Sequence, residues 1–315
     1  MTPPAFLSAQ GALEQQSLTI RETQEQAYLD VEVLGDLPVL LPLHEVLVGG
    51  IQNRLPVYPL LLRRGRGKLP VFCVERDRWS GEPQGTFRFA AYAVPLPVRR
   101  HLLTAFMPKL TPVYRSRPSF VRGYLRAQQM GMDAGPFEPA YREEKQEEWV
   151  LGQPPTQEAI WAEVAQALRA QGVESPTKDV TAFYAPKAEW VEAGLDSLPR
   201  AEDQCGVAVF VNGQLRGIEW CADAQAWAAY HRPLLASYLL DVGEMELGGP
   251  SLDQLDTLLA QVEEAAYAAS PIPLPRDLSA LGTCRFFRFE GEKGVLAGYL
   301  LESEGQPYFL SAVAV

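Results

Sequence analysis

Short apolar runs that end at glycine, proline, asparagine or aspartate recur along the chain. They read SLTIRE near residue 17, AYLDVEV near 27, LPVLLPL near 37 and FRFAAYAV from Phe87. Runs of this length, rich in β-branched and aromatic residues and separated by turn residues, are typical of β-strands. The pattern therefore excludes an all-helical fold.

The middle of the chain carries two segments that predict interruptions. The basic segment RRGRGK lies between the apolar runs LPVYPLLL and LPVFCVE, and its Gly65 and Gly67 predict a basic turn or hairpin loop. Residues 95–155 hold nine prolines, which predict loops and short helices. Within them the run REEKQEE predicts a solvated helix face.

Helical periodicity appears in three segments of the second half. Thr156 is placed to cap a helix with apolar residues at 3.6-residue spacing. The segment DAQAWAAYHRPLLASYLLDV predicts a second helix with an interruption at Pro233. Ser251 and Gln254 form a capping box that predicts the start of a third.

The remaining patterns set the fold class. Asn212-Gly213 between GVAVFV and QLRGIEW predicts a hairpin with a type I′ turn, and the last third of the chain predicts a three-strand meander ending in YFLSAVAV. We therefore expect an α+β protein with an antiparallel β-rich N-terminal half, helices packed on sheet and a C-terminal three-strand meander. We expect residues 1–250 to form one α+β domain, with residues 251–315 adding a helix and the meander to the same globule.

Charge is unevenly distributed along this acidic chain. The formal net charge is −11, yet residues 54 to 126 hold 15 Lys and Arg against three acidic residues. A basic block can serve a polyanion, or it can be neutralised by acidic surfaces after folding. On the first alternative, aromatic residues Tyr114, Phe120 and Tyr124 would stack bases. The cations that would contact phosphates are Arg63, Arg64, Arg66, Lys68, Arg115, Arg117, Arg122 and Arg126.

Cysteine and histidine usage excludes several classes of site. The four cysteines form no CxxC pair, and the three histidines have no metalloprotease spacing, so no zinc site and no dense disulfide framework are expected. A carboxylate site for a hard cation stays open. The N-terminal residues lack the features of a secretion signal, and no run approaches the roughly 18 apolar residues of a membrane helix. We expect a cytoplasmic protein with reduced thiols and no membrane partner.

The densest group of chemically useful residues lies between His44 and Trp79. In a strand reading of VFCVE, Cys73 and Glu75 share one face. Upstream, the two glycines of GGIQNR permit either a tight turn or a close approach of the backbone to a ligand. The same segment offers amides and a guanidinium suited to phosphate. Neither the Walker loop nor the dinucleotide fingerprint is present.

These segments resemble a known family signature. HEVLVGGIQNRLPVYPLLL followed by LPVFCVERDRW is similar to the ADP-ribosylglycohydrolase- and rhodanese-phosphatase-associated protein domain, whose pattern runs approximately GEELxGAKQNR, an apolar strand, then PVSCVExGRW. The likeness continues in order through QEAIWAEV, ESPT, GVAVFVNGQLRGIEW and WAAYHRPLLASYLLDV, so it spans about residues 25 to 243. The chain departs from the pattern at Ile51, where the family has lysine, and at Asp77, where it has glycine.

The resemblance implies a place in NAD-derived and ADP-ribose metabolism, without fixing a reaction or a cofactor. Ser175 and Thr177 match a second, weaker set of positions. The polar motif residues that the resemblance carries over are Glu45, Gln52, Asn53, Arg54, Cys73, Glu75, Arg78 and Trp79.

The same residues contain the groups that an ADP-ribose-like nucleotide requires. Arg54 and Arg78 offer guanidinium groups for a pyrophosphate, and Trp79 offers a ring for adenine. Glu75 is the candidate general base or ribose-binding carboxylate, and Cys73 is the second catalytic candidate. If the family lysine at position 51 is required for catalysis, this chain binds its ligand without turning it over.

Three hypotheses therefore stay open. The chain binds or processes an ADP-ribose-related nucleotide, or it binds nucleic acid through the basic tract, or it is a non-catalytic assembly protein. On the third, YFLSAVAV would form an edge strand that pairs with another subunit, although a buried strand explains that segment equally well.

Overall fold

The computed structural model confirms an α+β fold in which antiparallel sheets dominate. It describes residues 5–23, 25–79, 85–107, 109–118, 141–150, 152–240, 251–274, 280–292 and 294–315. The chain divides into two compact units, Met1–Met107 with Gln153–Val315, and Pro108–Gly152.

Ten short elements build the first sheets. They are β1 (Leu7–Ser8), α1 (Ala9–Glu14), β2 (Leu18–Glu22), β3 (Tyr28–Val33), β4 (Val39–Leu41), β5 (Leu47–Gly49), β6 (Arg54–Pro56), β7 (Leu60–Leu62), β8 (Gly65–Cys73) and β9 (Phe87–Phe89). One six-stranded sheet has the order β2-β3-β8-β6-β5-β9. Strands β1, β4 and β7 join a second sheet, in which β1 and β4 run parallel.

The helices and the C-terminal strands complete the larger unit. They are α2 (Leu96–Phe106), α3 (Gln157–Ala170), a 3-10 helix (Val180–Lys187), α4 (Ala188–Asp196), β12 (Gly206–Val211), β13 (Gln214–Cys221), α5 (Ala224–Leu239), α6 (Leu252–Ala268), β14 (Ile272–Pro273), β15 (Ala280–Leu281), β16 (Thr283–Gly291), β17 (Gly294–Ser303) and β18 (Gln306–Ala314). The other unit contributes the hairpin of β10 (Lys109–Pro118) and β11 (Tyr141–Val150).

Helix starts follow the predicted caps. The hydroxyl of Thr156 accepts the amide of Ala159 at 3.2 Å, and Ser251 and Gln254 complete a capping box. The predicted interruption at Pro233 is wrong, because α5 continues through that residue. No described helix is both long and apolar enough to cross a membrane.

Two predictions in the first half of the chain are wrong. Gly65–Lys68 is not a loop: it is the start of β8, where Arg66 pairs with Glu32 and Lys68 with Asp30 of β3. REEKQEE is not a helix face, because Tyr141–Val150 pairs along its whole length with β10. In both cases a partner strand distant in sequence decides the conformation.

The predicted C-terminal meander is confirmed inside a larger sheet of order β12-β13-β18-β17-β16-β14. The last strand, β18, pairs with β13 on one side and β17 on the other. The suggestion that YFLSAVAV forms an exposed edge is therefore wrong, and the buried-strand alternative is correct. One face of this sheet packs on α6 through Leu258, Val262 and Ala266.

The β12–β13 hairpin has the predicted turn and one irregularity. Asn212 and Gly213 have φ values of 50° and 73°, as a type I′ turn requires. Beyond the turn, Phe210 pairs with Leu215 but Val209 pairs with Gly217, so Arg216 is an extra residue in β13. This β-bulge shifts the pairing by one residue for the rest of the hairpin.

A buried ion pair joins α2 to the C-terminal sheet. Arg99, 3 % exposed, donates to Glu219, and also to the hydroxyls of Ser237 and Ser311 at 3.0 Å. Tyr238 donates to the same Glu219 oxygen. One residue of the basic tract is therefore a core residue neutralised by an acid distant in sequence.

Candidate functional site

The QNR and CVExxRW motifs meet at one end of the first six-stranded sheet. Strand β6 begins with Arg54, which pairs with Cys73 at the end of β8, and the amide of Val74 donates to the carbonyl of Asn53 at 3.0 Å. The pairing places Gln52 and Asn53 beside Glu75. We call Gln52, Asn53, Glu75 and Arg78 the motif cluster.

Two glycines shape the turn that enters the cluster. Gly50 has φ of 51°, and a Cβ there would lie 2.5 Å from the Phe87 ring and 2.6 Å from a Glu22 oxygen. At Gly49 a Cβ would lie 2.4 Å from the Thr86 carbonyl. The expected close approach is therefore to the protein's own strand β9, because no side chain fits between the turn and that strand.

Glu75 is the centre of the motif cluster. Its carboxylate accepts the Asn53 amide at 3.2 Å, Arg78 Nε at 2.7 Å and the Thr177 hydroxyl at 2.9 Å. The residue is 4 % exposed. Two donors thus occupy Oε2 and one occupies Oε1, so a general-base role would fall to the remaining acceptor position of Oε1.

Arg78 clamps the glycine turn. Besides Glu75, its guanidinium donates to the carbonyl of Gly50 at 2.9 Å, to the carbonyl of Gly49 at 3.3 Å and to Asn53 Oδ1 at 3.2 Å. Three of these acceptors belong to the turn and to the residue that ends it. The guanidinium therefore holds the turn closed in this structure.

Arg54 lies beneath the cluster and keeps unused hydrogen-bonding capacity. Its Nη1 donates to Gln52 Oε1 at 2.9 Å, and Nη2 lies 3.5 Å from a Glu22 oxygen. Although Arg54 is fully buried, its Nε and Nη2 atoms make no hydrogen bond within the described part of the chain. The ring of Trp79, 56 % exposed, lies over this guanidinium with its centroid 6.0 Å from Cζ.

Cys73 lies beside Arg54 on the same face of the sheet, as opposed residues of an antiparallel pair do. Its sulfur is 3.3 Å from the carbonyl oxygen of Glu75. Burial raises the pKa of the Cys73 thiol, against the opposing influence of hydrogen bonds from the Glu75 backbone and from Trp161 and of the charge of Arg54. The buried thiol is therefore protonated at neutral pH.

The side chain of Gln157 closes the edge of β8 at Cys73. Its Nε2 donates to the Cys73 carbonyl and its Oε1 accepts the Cys73 amide, both at 2.8 Å. Gln157 is the first residue of α3, so this pair of bonds anchors the helix start to the sheet. One turn further on, Trp161 carries the guanidinium of Arg76 over its ring, 5.5 Å from the centroid.

The weaker ESPT set also reaches the cluster. Thr177 donates to Glu75, and the Ser175 hydroxyl accepts the amide of Asp179 at 2.9 Å. Asp179 in turn accepts Asn53 Nδ2 at 3.0 Å and forms a backbone bridge with Glu75. Asp179 was missed by sequence reasoning; its position as the N-cap of the 3-10 helix was the available signal.

Glu45 lies apart from this network. It takes part in none of the hydrogen bonds that join the motif cluster among the described residues, and its carboxylate lies near Tyr230 of α5. Burial raises the pKa of Glu45 to about 8. The structure therefore brings together Gln52, Asn53, Arg54, Cys73, Glu75, Arg78 and Trp79, and leaves out Glu45.

The comparisons with known proteins agree with the motif. The sequence pattern of a family described as ARPP-1, the ARG and Rhodanese-Phosphatase-superfamily-associated Protein domain, matches residues 1–305. The chain belongs to the ARPP-1 family. No curated protein and no solved structure gave a match.

Several cations in the basic tract of this ARPP-1 chain form ion pairs with acidic residues. Arg64 lies 3.0 Å from Asp36, Arg66 lies 2.7 Å from Glu32, and Lys68 lies 3.2 Å from both Glu25 and Asp30. A groove of about 420 Å³ on β2, β3 and β8 is lined by Arg21, Arg66, Lys68, Asp30 and Glu32, among others. Acidic residues therefore offset the charges of Arg66 and Lys68, while Arg21 adds a third cation to this groove.

Four of the five remaining cations of the nucleic-acid hypothesis lie where the structure describes no side chain. Arg63 is exposed. Arg115 and Arg117 belong to β10, of which only the backbone is described, and Arg122 and Arg126 lie outside the described residues, as do Phe120 and Tyr124. Nucleic-acid binding by this ARPP-1 chain stays a prediction from sequence.

No group of three or more Cys, His, Asp or Glu residues in the described part of the ARPP-1 chain is arranged to hold a metal ion. Glu75 and Asp179 are neighbours, but their oxygens already accept hydrogen bonds from Asn53, Thr177, Arg78 and Thr181. The polar groups of the cluster form hydrogen bonds with one another. Trp79, Arg76 and Trp161 form the solvent-facing rim of the cluster.

Proposed function

We propose that this chain binds an ADP-ribose-related nucleotide at the solvent-facing rim of the motif cluster. The observation that carries the proposal is the exposed ring of Trp79, which lies over the buried guanidinium of Arg54. An exposed aromatic ring supplies a stacking surface for adenine.

The charges around the rim support the same ligand class. Arg76, whose side chain is 53 % exposed, lies over Trp161, and its only ion-pair partner in the described chain is Asp77 at the long distance of 3.8 Å. Lys178, which is partly exposed, forms an ion pair with the other oxygen of Asp77 at 2.5 Å. An exposed guanidinium on a tryptophan ring suits a molecule that joins an aromatic base to a pyrophosphate.

We propose that the site binds the nucleotide, and we assign no reaction to it. Glu75 holds three donors, and Ile51 stands where the family pattern has lysine. Ile51 is itself buried in the glycine turn, and its amide donates to Glu22 at 2.9 Å. Hydrolysis of ADP-ribose by this chain would require a group other than that lysine to assist it.

Isothermal titration with ADP-ribose, NAD and AMP tests the proposal. We expect saturable heat with at least ADP-ribose, and a loss of roughly tenfold or more in affinity for Trp79→Ala, because stacking of one base on an aromatic ring contributes about 1 to 3 kcal/mol. Trp190→Ala is the matched control, since Trp190 is 45 % exposed on α4 and belongs to no part of the cluster.

Two results would contradict the proposal in different ways. Absence of heat with all three nucleotides at millimolar concentration would exclude this ligand class. Equal affinity for Trp79→Ala and the unaltered chain would show that the nucleotide binds elsewhere.

A further inference from the structure

Cys205 and Cys221 lie opposite each other at the open end of the β12–β13 hairpin. Gly206 pairs with Trp220, and one residue further out the Cys221 amide donates to the Cys205 carbonyl at 2.8 Å. Directly opposed residues of an antiparallel pair have Cα atoms about 4.5 to 5.5 Å apart. A disulfide spans Cα distances of about 4.4 to 6.8 Å, so the backbone already has suitable spacing.

The bulge at Arg216 creates this juxtaposition. With an unbroken register from the Asn-Gly turn, where Val211 pairs with Gln214, Cys205 would oppose Trp220. The extra residue in β13 moves the pairing by one position and brings Cys221 opposite Cys205. Opposed residues project from the same face of a sheet, so the two thiols share a face.

The two thiols differ in access. Cys205 is partly exposed, with its sulfur 3.6 Å from the carbonyl oxygen of Asp203, whereas Cys221 is buried. The other two cysteines, Cys73 and Cys284, are buried in separate strand pairs, opposite Arg54 and Leu301. A reagent from solution therefore reaches Cys205 first.

We propose that Cys205 and Cys221 form a reversible disulfide by exchange with a low-molecular-weight disulfide such as oxidised glutathione. The Cys205 thiolate attacks one sulfur of oxidised glutathione; the glutathione disulfide bond breaks, a mixed disulfide forms and one glutathione thiolate leaves. The Cys221 thiolate then attacks the Cys205 sulfur and releases the second glutathione. Two cysteine thiols are oxidised, one oxidised glutathione is reduced to two thiols, and the cysteine protons pass to the departing thiolates.

Burial sets the rates of the two steps. It raises the pKa of Cys221 to about 12 and also raises the pKa of Cys205, with the charges of Asp223 and Asp203 acting in the same direction on Cys205. Since the thiolate is the attacking species, exchange accelerates at alkaline pH. The second step is intramolecular between opposed residues, which compensates for the small thiolate fraction of Cys221.

The disulfide would fasten an edge of the C-terminal sheet. β12 is an edge strand of this sheet, and β13 is its hydrogen-bonded neighbour. The bond closes the hairpin at the end opposite its turn, two residues before Asp223, the N-cap of α5. Oxidation would thus prevent the N-terminal end of β12 from separating from β13, and reduction would restore that freedom.

Peptide mapping tests the proposal on the full chain. The protein is incubated with oxidised glutathione at mildly alkaline pH, remaining thiols are alkylated, and trypsin is applied without reductant. Arg216 lies between the two cysteines, so cleavage there separates them. We expect the peptide that ends at Arg216 to be joined to the peptide that begins at Gly217, with the mass lowered by two hydrogen atoms, and to be released by dithiothreitol.

Two variants separate the alternatives. Cys205→Ser, a change at a partly exposed position, should give no linked peptide and leave Cys221 unmodified in the folded chain. Cys221→Ser should stop at the mixed disulfide of Cys205 with glutathione. The proposal is overturned if the unaltered folded chain keeps Cys205 as a free thiol, accumulates its mixed disulfide, or forms disulfide-linked dimers instead of the internal bond.

Discussion

The ring of Trp79 lies over the guanidinium of Arg54, with its centroid 6.0 Å from Cζ, and only the arginine is buried. Trp79 is 56 % exposed, whereas Arg54 is fully buried and, among the described residues, forms an ion pair with Glu22, 3.5 Å away. Glu22 also accepts the amides of Ile51 and Thr23. The charge balance beneath the rim therefore depends on one acid of strand β2.

Removal of either partner of this buried pair should be costly. We expect Arg54→Met and Glu22→Gln each to lower the free energy of unfolding by about 3 kcal/mol, because each leaves a buried charge without its counterion. The double variant should lose less than the sum of the single losses. Urea denaturation of the four proteins measures this, and strict additivity would show that the two charges do not interact.

The two arginines of the CVERDRW segment should differ in what they stabilise. Arg78→Met removes the clamp on Gly49, Gly50 and Glu75, and should cost about 2 to 4 kcal/mol of unfolding free energy. Arg76→Met, two residues earlier and exposed, should change stability by no more than about 0.5 kcal/mol. In nucleotide titrations we expect a reduced affinity for Arg76→Met. Equal stability losses for both variants would contradict the assigned roles.

The glycine turn gives a prediction with an internal control. Gly50→Ala should destabilise the protein by more than about 2 kcal/mol, since its Cβ would meet the Phe87 ring and Glu22 in addition to a φ of 51°. Gly172→Ala, with φ of 66° and open space around the Cβ position, should cost only about 1 kcal/mol. Thermal unfolding of both variants provides the comparison, and similar midpoints would show that Phe87 yields to the added methyl group.

Stability should depend on pH through Glu45. Burial raises its pKa from 4.5 to about 8, so between these values the folded chain holds a proton that the unfolded chain releases. The free energy of unfolding should therefore fall as pH rises towards 8. Chemical denaturation at a series of pH values checks this, and Glu45→Gln should remove the decline.

His44 acts in the opposite sense at lower pH. Burial lowers the pKa of His44 below 6.5, with the charge of Arg99 adding to the effect, so stability is lost as pH falls below that value. The decline due to Glu45 is thus isolated between pH 6.5 and 8. A flat profile there in the unaltered chain would mean that the Glu45 carboxylate finds solvent or a donor.

Features with a local cause could be predicted from the sequence. The Asn212-Gly213 turn, the Ser251 capping box and the three-strand meander all depend on residues within a few positions of one another. Gly65–Lys68 could not be predicted, because its strand conformation comes from pairing with β3, more than 30 residues earlier. Backbone pairing across that distance overrides the turn preference of two glycines.

The sequence motif predicts which residues form the candidate site, but it does not predict how deeply they are buried. The motif identified the residues that meet, but their burial depends on partners distant in sequence: Glu22 for Arg54, Thr177 for Glu75 and Asp179 for Asn53. The basic tract shows the same limit. Arg99 is one of the 15 cations of the tract, and only the folded chain shows it bonded to Glu219 in the core.

The amide of Gln157 has a consequence for assembly. At Cys73 the neighbouring strand β3 has already ended, so the backbone of β8 would present a donor and an acceptor to any extended peptide nearby. Gln157 fills both positions at 2.8 Å, as a neighbouring strand one residue long would. A single side chain thereby prevents another strand from pairing with the sheet at this place. The same two bonds fix the first residue of a 14-residue helix to the end of a strand.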